Sequence, residues 1–119
     1  MRLYLAGPMS GLPDENYPSF HAAARRLRSA GFVVLNPAET ILPPLANPTW
    51  GDWMRAGITQ LLTADAVALL PGSGGSRGAR LEVLVAHELA MAVRTVPAWL
   101  TKAGQDAYMI RLGAGNVRP

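Results

Sequence analysis

The sequence predicts an α/β fold in which one parallel sheet is covered by helices on both faces. Short apolar runs alternate along the chain with stretches of helical periodicity. The runs are apolar on consecutive residues, as strands buried on both faces require. Glycines and prolines punctuate the segment ends, where regular structure has to stop.

Leu3–Ala6 reads as the first strand, closed by Gly7-Pro8. A helix from Asn16 to Ala30 follows, with Phe20, Ala23, Ala24 and Leu27 on one face and Gly31 as its stop. Phe32–Leu35 is the second strand. Asn36–Pro48 holds Pro37, Pro43, Pro44 and Pro48 and is expected to be an irregular surface loop. A second helix runs from about Thr49 to Thr63, with an apolar stripe of Trp50, Trp53, Met54, Ile58, Leu61 and Leu62. Ala66–Leu70 is the third strand. A third helix, from about Gly78 to Val93, turns Leu81, Leu84, Val85, Leu89 and Ala92 inward. Val96–Leu100 is expected as the fourth strand; beyond it, Asp106–Leu112 suits a short helix and Gly113–Pro119 a frayed end. Right-handed crossovers then give a sheet of order 2-1-3-4 with the first strand central.

A chain of 119 residues is long enough to bury a core of its own, and with neither an internal repeat nor a second apolar pattern it reads as one domain, 1–119. Half the residues are hydrophobic and 16% are charged, which argues against disorder. No apolar run approaches the ~18–20 residues of a spanning helix, so no membrane partner is expected. The apolar part of the first residues is too short for a secretory signal, and cysteine is absent; both fit a cytoplasmic protein. The net charge is only +3, and the densest basic cluster, Arg25-Arg26-x-Arg28, falls on a solvated helix face. Nucleic acid is therefore not an expected partner. His21 and His87 stand without ligand-spaced neighbours, so no metal site is expected.

In open α/β sheets a ligand sits beyond the carboxyl ends of the strands. Those ends lead into Gly7-Pro8-Met9-Ser10-Gly11, into Asn36-Pro37-Ala38-Glu39, and into Pro71-Gly72-Ser73-Gly74-Gly75-Ser76-Arg77-Gly78. The last stretch, glycine-rich and directly before a helix, lets backbone N–H groups approach an anion; it also suits a plain flexible connection. Glu82, one turn into that helix, is placed either as a nucleophile or as an ordinary first-turn acid. Tyr4, in the middle of the first strand, reads as a core aromatic with its hydroxyl satisfied, and Asp65 as a turn residue opening the third strand.

Taken together, Tyr4-Leu-Ala-Gly7-Pro8-Met9-Ser10-Gly11-Leu-Pro, Asn36-Pro-Ala-Glu39, Ala64-Asp65-Ala-Val-Ala-Leu-Leu-Pro-Gly72 and Ser76-Arg77-Gly78-Ala-x-Leu-Glu82 resemble the small nucleoside 2-deoxyribosyltransferase-like proteins. The wider group includes the 2′-deoxynucleoside 5′-monophosphate N-glycosidases. The resemblance spans roughly residues 1–100. It implies a Rossmann-like (flavodoxin-like) three-layer fold with four to five parallel strands, and cleavage or transfer of an N-glycosidic bond without metal or organic cofactor. Glu82 matches the nucleophile that attacks C1′, and Tyr4 the tyrosine beside it. Gly7, Pro8, Met9, Ser10 and Gly11 match the turn against the nucleotide, with Asn36, Asp65 and Gly72 at the neighbouring strand ends. Ser76, Arg77 and Gly78 match the segment that meets a 5′-phosphate, where transferases for free nucleosides carry Asp in place of Ser. The implied ligand is a deoxynucleoside monophosphate, and a homodimer or larger homo-oligomer is implied, in which Trp50 and Trp53 serve either an interface or the helix core.

One departure bears on activity. The relatives carry an assisting acid on the second helix at the position of Gly57 here. Its absence leaves a non-catalytic nucleotide-binding or sensor protein as the alternative. Aspartate at Gly57 is expected to speed base release, and alanine to stabilise the helix without that gain. Ser10 also stands where the monophosphate hydrolases tend to carry Arg, and Ser73-Gly74-Gly75 replaces a bulkier stretch, which opens the expected pocket.

Overall fold

A computed structural model describes residues 1–42 and 47–101. Pro43 and Pro44 of the expected loop and the expected helix at 106–112 lie outside the described residues. Four strands, β1 (Arg2–Ala6), β2 (Val33–Leu35), β3 (Ala66–Leu69) and β4 (Ala92–Thr95), form an all-parallel sheet in the order β2-β1-β3-β4. Tyr4 of central β1 pairs in register with Leu35 and Val67. Helices α1 (Tyr17–Ser29), α2 (Trp50–Leu62), α3 (Arg77–Glu88) and α4 (Val96–Leu100) complete a Rossmann-like three-layer fold.

Alternation of side chains along β1 decides which layer each residue feeds. Leu3 and Leu5 pack with Phe20, Ala24 and Leu27 of α1 and with Trp99 of α4. Tyr4 and Ala6 face the other way, towards Leu61 of α2 and Ala86 of α3. The two cores lie on opposite faces of one sheet, so apolar residues on consecutive positions are the natural pattern. Among the described residues no helix is long and apolar enough to cross a membrane.

The fourth strand is shifted from its expected place. Val96–Leu100 is helical, and the strand is Ala92–Thr95. Thr95 caps α4 by accepting the Ala98 N–H at 3.3 Å, and Pro97 occupies the first turn, where its missing N–H costs nothing. The apolar run is thus the buried side of a short helix. Trp99 is fully buried there, and its indole N–H donates to the Val67 carbonyl at 2.8 Å. The third helix correspondingly ends early, at Glu88, where Ala90 turns left-handed with φ 56°. Within the loop after β2, Pro37–Glu39 forms one short 3-10 turn.

Candidate active site

The carboxyl ends of β1 and β3 come together because Gly7 lets them. A Cβ at Gly7 would stand 2.8 Å from Leu70 Cβ, too close for any other residue. Gly72 holds φ +84°, a left-handed backbone that a side chain disfavours, and packs beside Pro8. Between these loops and α2 lies a cavity of about 540 Å³, a size suited to a small ligand.

Tyr4 and Glu82 lie at its buried end. Tyr4 is 1% exposed and Glu82 6%, and the Tyr4 hydroxyl donates to Glu82 Oε2. Tyr4 is fixed by the register of β1, Glu82 by its place on the sheet-facing side of α3. Burial pushes the Glu82 carboxyl up to about 7, while the hydrogen bond from Tyr4 pulls the other way. Burial also raises the Tyr4 hydroxyl well above its ordinary value, reinforced by the charge of Glu82 and their hydrogen bond. The pair therefore keeps its shared proton on tyrosine, and the carboxylate is poised to ionise near neutrality. Such a group serves as a nucleophile or as an acid–base catalyst.

Ser76 caps α3, its hydroxyl oxygen accepting the Ala79 N–H at 3.2 Å. The hydroxyl proton stays available to a ligand. The N–H groups of Arg77 and Gly78 open the helix with no acceptor among the described residues. The Arg77 guanidinium lies 3.7 Å above the Trp50 ring centroid and has no carboxylate partner among the described residues.

Of the residues expected from sequence, Tyr4, Gly7, Met9, Ser10, Ser76, Gly78 and Glu82 all line the cavity. Pro8, Gly72 and Arg77 front an adjoining hollow across the glycine-rich loop, which Met9, Ser10, Ser76 and Gly78 share. Gly11 turns the chain at φ +80° and lines neither. Asn36 is 3% exposed, accepts the Ala38 N–H on its side-chain carbonyl at 3.0 Å and lines neither hollow. Asp65 stands apart: its carboxylate accepts the Arg2 N–H at 2.7 Å, tying the amino ends of β1 and β3 at the far edge of the sheet.

Several cavity residues were not expected. Trp50 and Trp53 line it, and their exposure on α2 corrects the core use read from the stripe. Glu15 enters from the turn before α1, Tyr17 from the first position of α1, and Thr40 from the loop after β2. Only the aromatic pair at i, i+3 had a sequence signal. Gly57 proves to be more than a vacated acid position: it is buried, and a Cβ there would stand 2.9 Å from Tyr4 Oη. The expectation that alanine at this position would stabilise the fold is corrected by that contact. Among the described residues no group of three or more His, Cys, Asp or Glu side chains is arranged to hold a metal ion.

No match is found among curated proteins or among solved structures. Residues 1–95 match the family described as a domain of unknown function, DUF4406, and the chain belongs to that family.

Proposed function

We propose that the protein cleaves or transfers the N-glycosidic bond of deoxynucleoside 5′-monophosphates, with Glu82 as nucleophile. The observation that carries this reading is the buried Tyr4–Glu82 pair opening on a cavity beside the start of α3. A carboxylate at C1′ needs to be ionised yet poorly solvated, and a carboxyl shifted to about 7 meets both needs near neutral pH. Tyr4 orients it through its O–H. The free N–H groups of Arg77 and Gly78, with the Ser76 hydroxyl, suit a phosphate held next to the sugar. Trp50 and Trp53 offer flat apolar surface for the base. The resemblance to the nucleoside 2-deoxyribosyltransferase-like proteins supports the same assignment.

Gly57 favours a second reading, a nucleotide-binding or sensor protein without turnover, because α2 brings no acid to the departing base. A screen of deoxynucleoside monophosphates, following free base alongside thermal shift, separates the two. Base release supports the enzyme. A thermal shift without release supports the binding protein, and neither response removes both.

A further inference from the structure

A base leaving C1′ carries away an electron pair, and an acid in the same cavity as Glu82 that protonates it would speed its departure by ~10²–10⁴-fold. Position 57 is closed to one, since even a Cβ there would press on Tyr4 Oη at 2.9 Å and Glu82 Oε2 at 3.1 Å. Of the other described acids, Asp14 and Glu88 do not line the cavity, and three more are engaged or distant. Asp52 is bound into the cap of α2 by Thr49, Glu39 pairs with Arg28 at 2.6 Å, and Asp65 ties the far end of the sheet. Among the described residues the cavity has one carboxylate besides Glu82, and it is Glu15.

Glu15 is held there by unusual backbone. Asp14, Glu15 and Asn16 are consecutive non-glycine residues at φ 52°, 52° and 58°. Left-handed backbone crowds Cβ against the following carbonyl, and where a fold retains such strain it tends to serve a site. The turn is pinned on both sides. Asn16 Nδ2 donates to the Pro8 carbonyl at 2.8 Å, and the Glu15 N–H donates to the Leu12 carbonyl at 3.1 Å. Exposed Glu15 lines the cavity from the turn between β1 and α1, a different element than the one that carries Glu82, as a two-carboxylate glycosidic mechanism requires.

We propose that Glu15 is the acid that protonates the departing base, in the place the relatives give to a residue on the second helix. This rests on the N-glycosidic reading above. In the first step Glu82 forms a bond to C1′ while the C1′–N bond breaks, its electron pair going to the base nitrogen, which takes the proton of Glu15. In the second, water attacks C1′, the bond to Glu82 breaks with its pair returning to the carboxylate, and Glu15 takes a proton from the water. The sum is one nucleotide and one water giving free base and 2-deoxyribose 5-phosphate.

The test compares deoxyguanosine 5′-monophosphate with its N7-methylated form, whose base leaves neutral without an added proton. With Glu15→Gln, release from the unmethylated nucleotide is expected to fall about 10²-fold or more, and from the methylated one by less than about threefold. Glu15→Gly relieves the left-handed backbone, so it is expected to melt higher than the parent, lose release, and regain part of it in added formate. Equal losses on both nucleotides, or undiminished release from the unmethylated one, would overturn the role of Glu15 while leaving Glu82 in place. If the parent protein releases base from neither of these nor from any other deoxynucleoside monophosphate, the glycosidic reading falls and the role of Glu15 with it.

Discussion

Gly57 lies against the Tyr4 hydroxyl so closely that a Cβ would stand 2.9 Å from it and 3.1 Å from Glu82 Oε2. The glycine on α2 is thus part of the Tyr4–Glu82 arrangement: it supplies the space in which tyrosine meets carboxylate. Gly57→Ala is expected to lower stability by up to about 2 kcal/mol, the overpacking cost of about 1–3 kcal/mol less the ~1 kcal/mol gain in helix propensity. Thermal melting checks it, and a variant that melts above the parent would mean that the pair moves aside freely.

Gly57→Asp adds a carboxylate beside a buried one. Like charges in contact raise one of the two further, so Glu82 should be less ionised and base release slower than in Gly57→Ala. Release rates of the two variants at neutral pH measure this. A faster Gly57→Asp enzyme would show that the second helix has room for an acid after all.

Stability should report the burial of Glu82 directly. Its folded-state value of about 7 lies above the ordinary 4.5, so the folded protein holds its proton more tightly than the unfolded chain. The stability this contributes is complete below about pH 4.5 and is lost as pH rises towards 7, by up to about 1.4 kcal/mol per pH unit. Glu82→Gln keeps an acceptor for Tyr4 and has no proton to lose. It should melt close to the parent at pH 5 and above it at pH 8. A gap that stays constant with pH would place Glu82 in a solvated setting.

Ser76 joins a structural role to the expected ligand role. Ser76→Ala removes the cap on α3 and should cost about 1 kcal/mol of stability. Ser76→Asp keeps a cap but puts a negative charge where phosphate is expected. Calorimetric titration of the parent should favour a monophosphate over its nucleoside by roughly 1–3 kcal/mol, with the preference shrinking or inverting in Ser76→Asp. Equal affinity in the parent would take phosphate out of the proposal.

Much of the fold is legible in the sequence because the sheet is buried on both faces. Leu3–Ala6 and Ala66–Leu69 are apolar throughout, and only a parallel sheet between helices buries every position. Val96–Leu100 has the same look but a different cause. Thr95 and Pro97 are helix-start signals, and they outweigh a short apolar run whose length suits either element. Gly7, Ser76 and Glu82 are legible as candidate site residues because strand ends and helix starts fix where they meet, whereas Tyr4, in mid-strand, is singled out only by the family resemblance. Gly57 against Tyr4, and Glu15 in the cavity, depend on contacts between elements distant in sequence and on a left-handed turn without glycine. No local pattern carries either one. Asp65 shows the converse: a motif residue in sequence, it stands at the opposite end of the strand from the cavity.

The Tyr4–Glu82 pair is tested most directly by single-turnover base release from a deoxynucleoside monophosphate, parent against Glu82→Gln, with nucleotide affinity measured for both. The expected result is affinity within a few-fold and release at least about 10³-fold slower in the variant. Undiminished release from Glu82→Gln would contradict the assignment, because the chemistry would then lie elsewhere than the buried carboxylate.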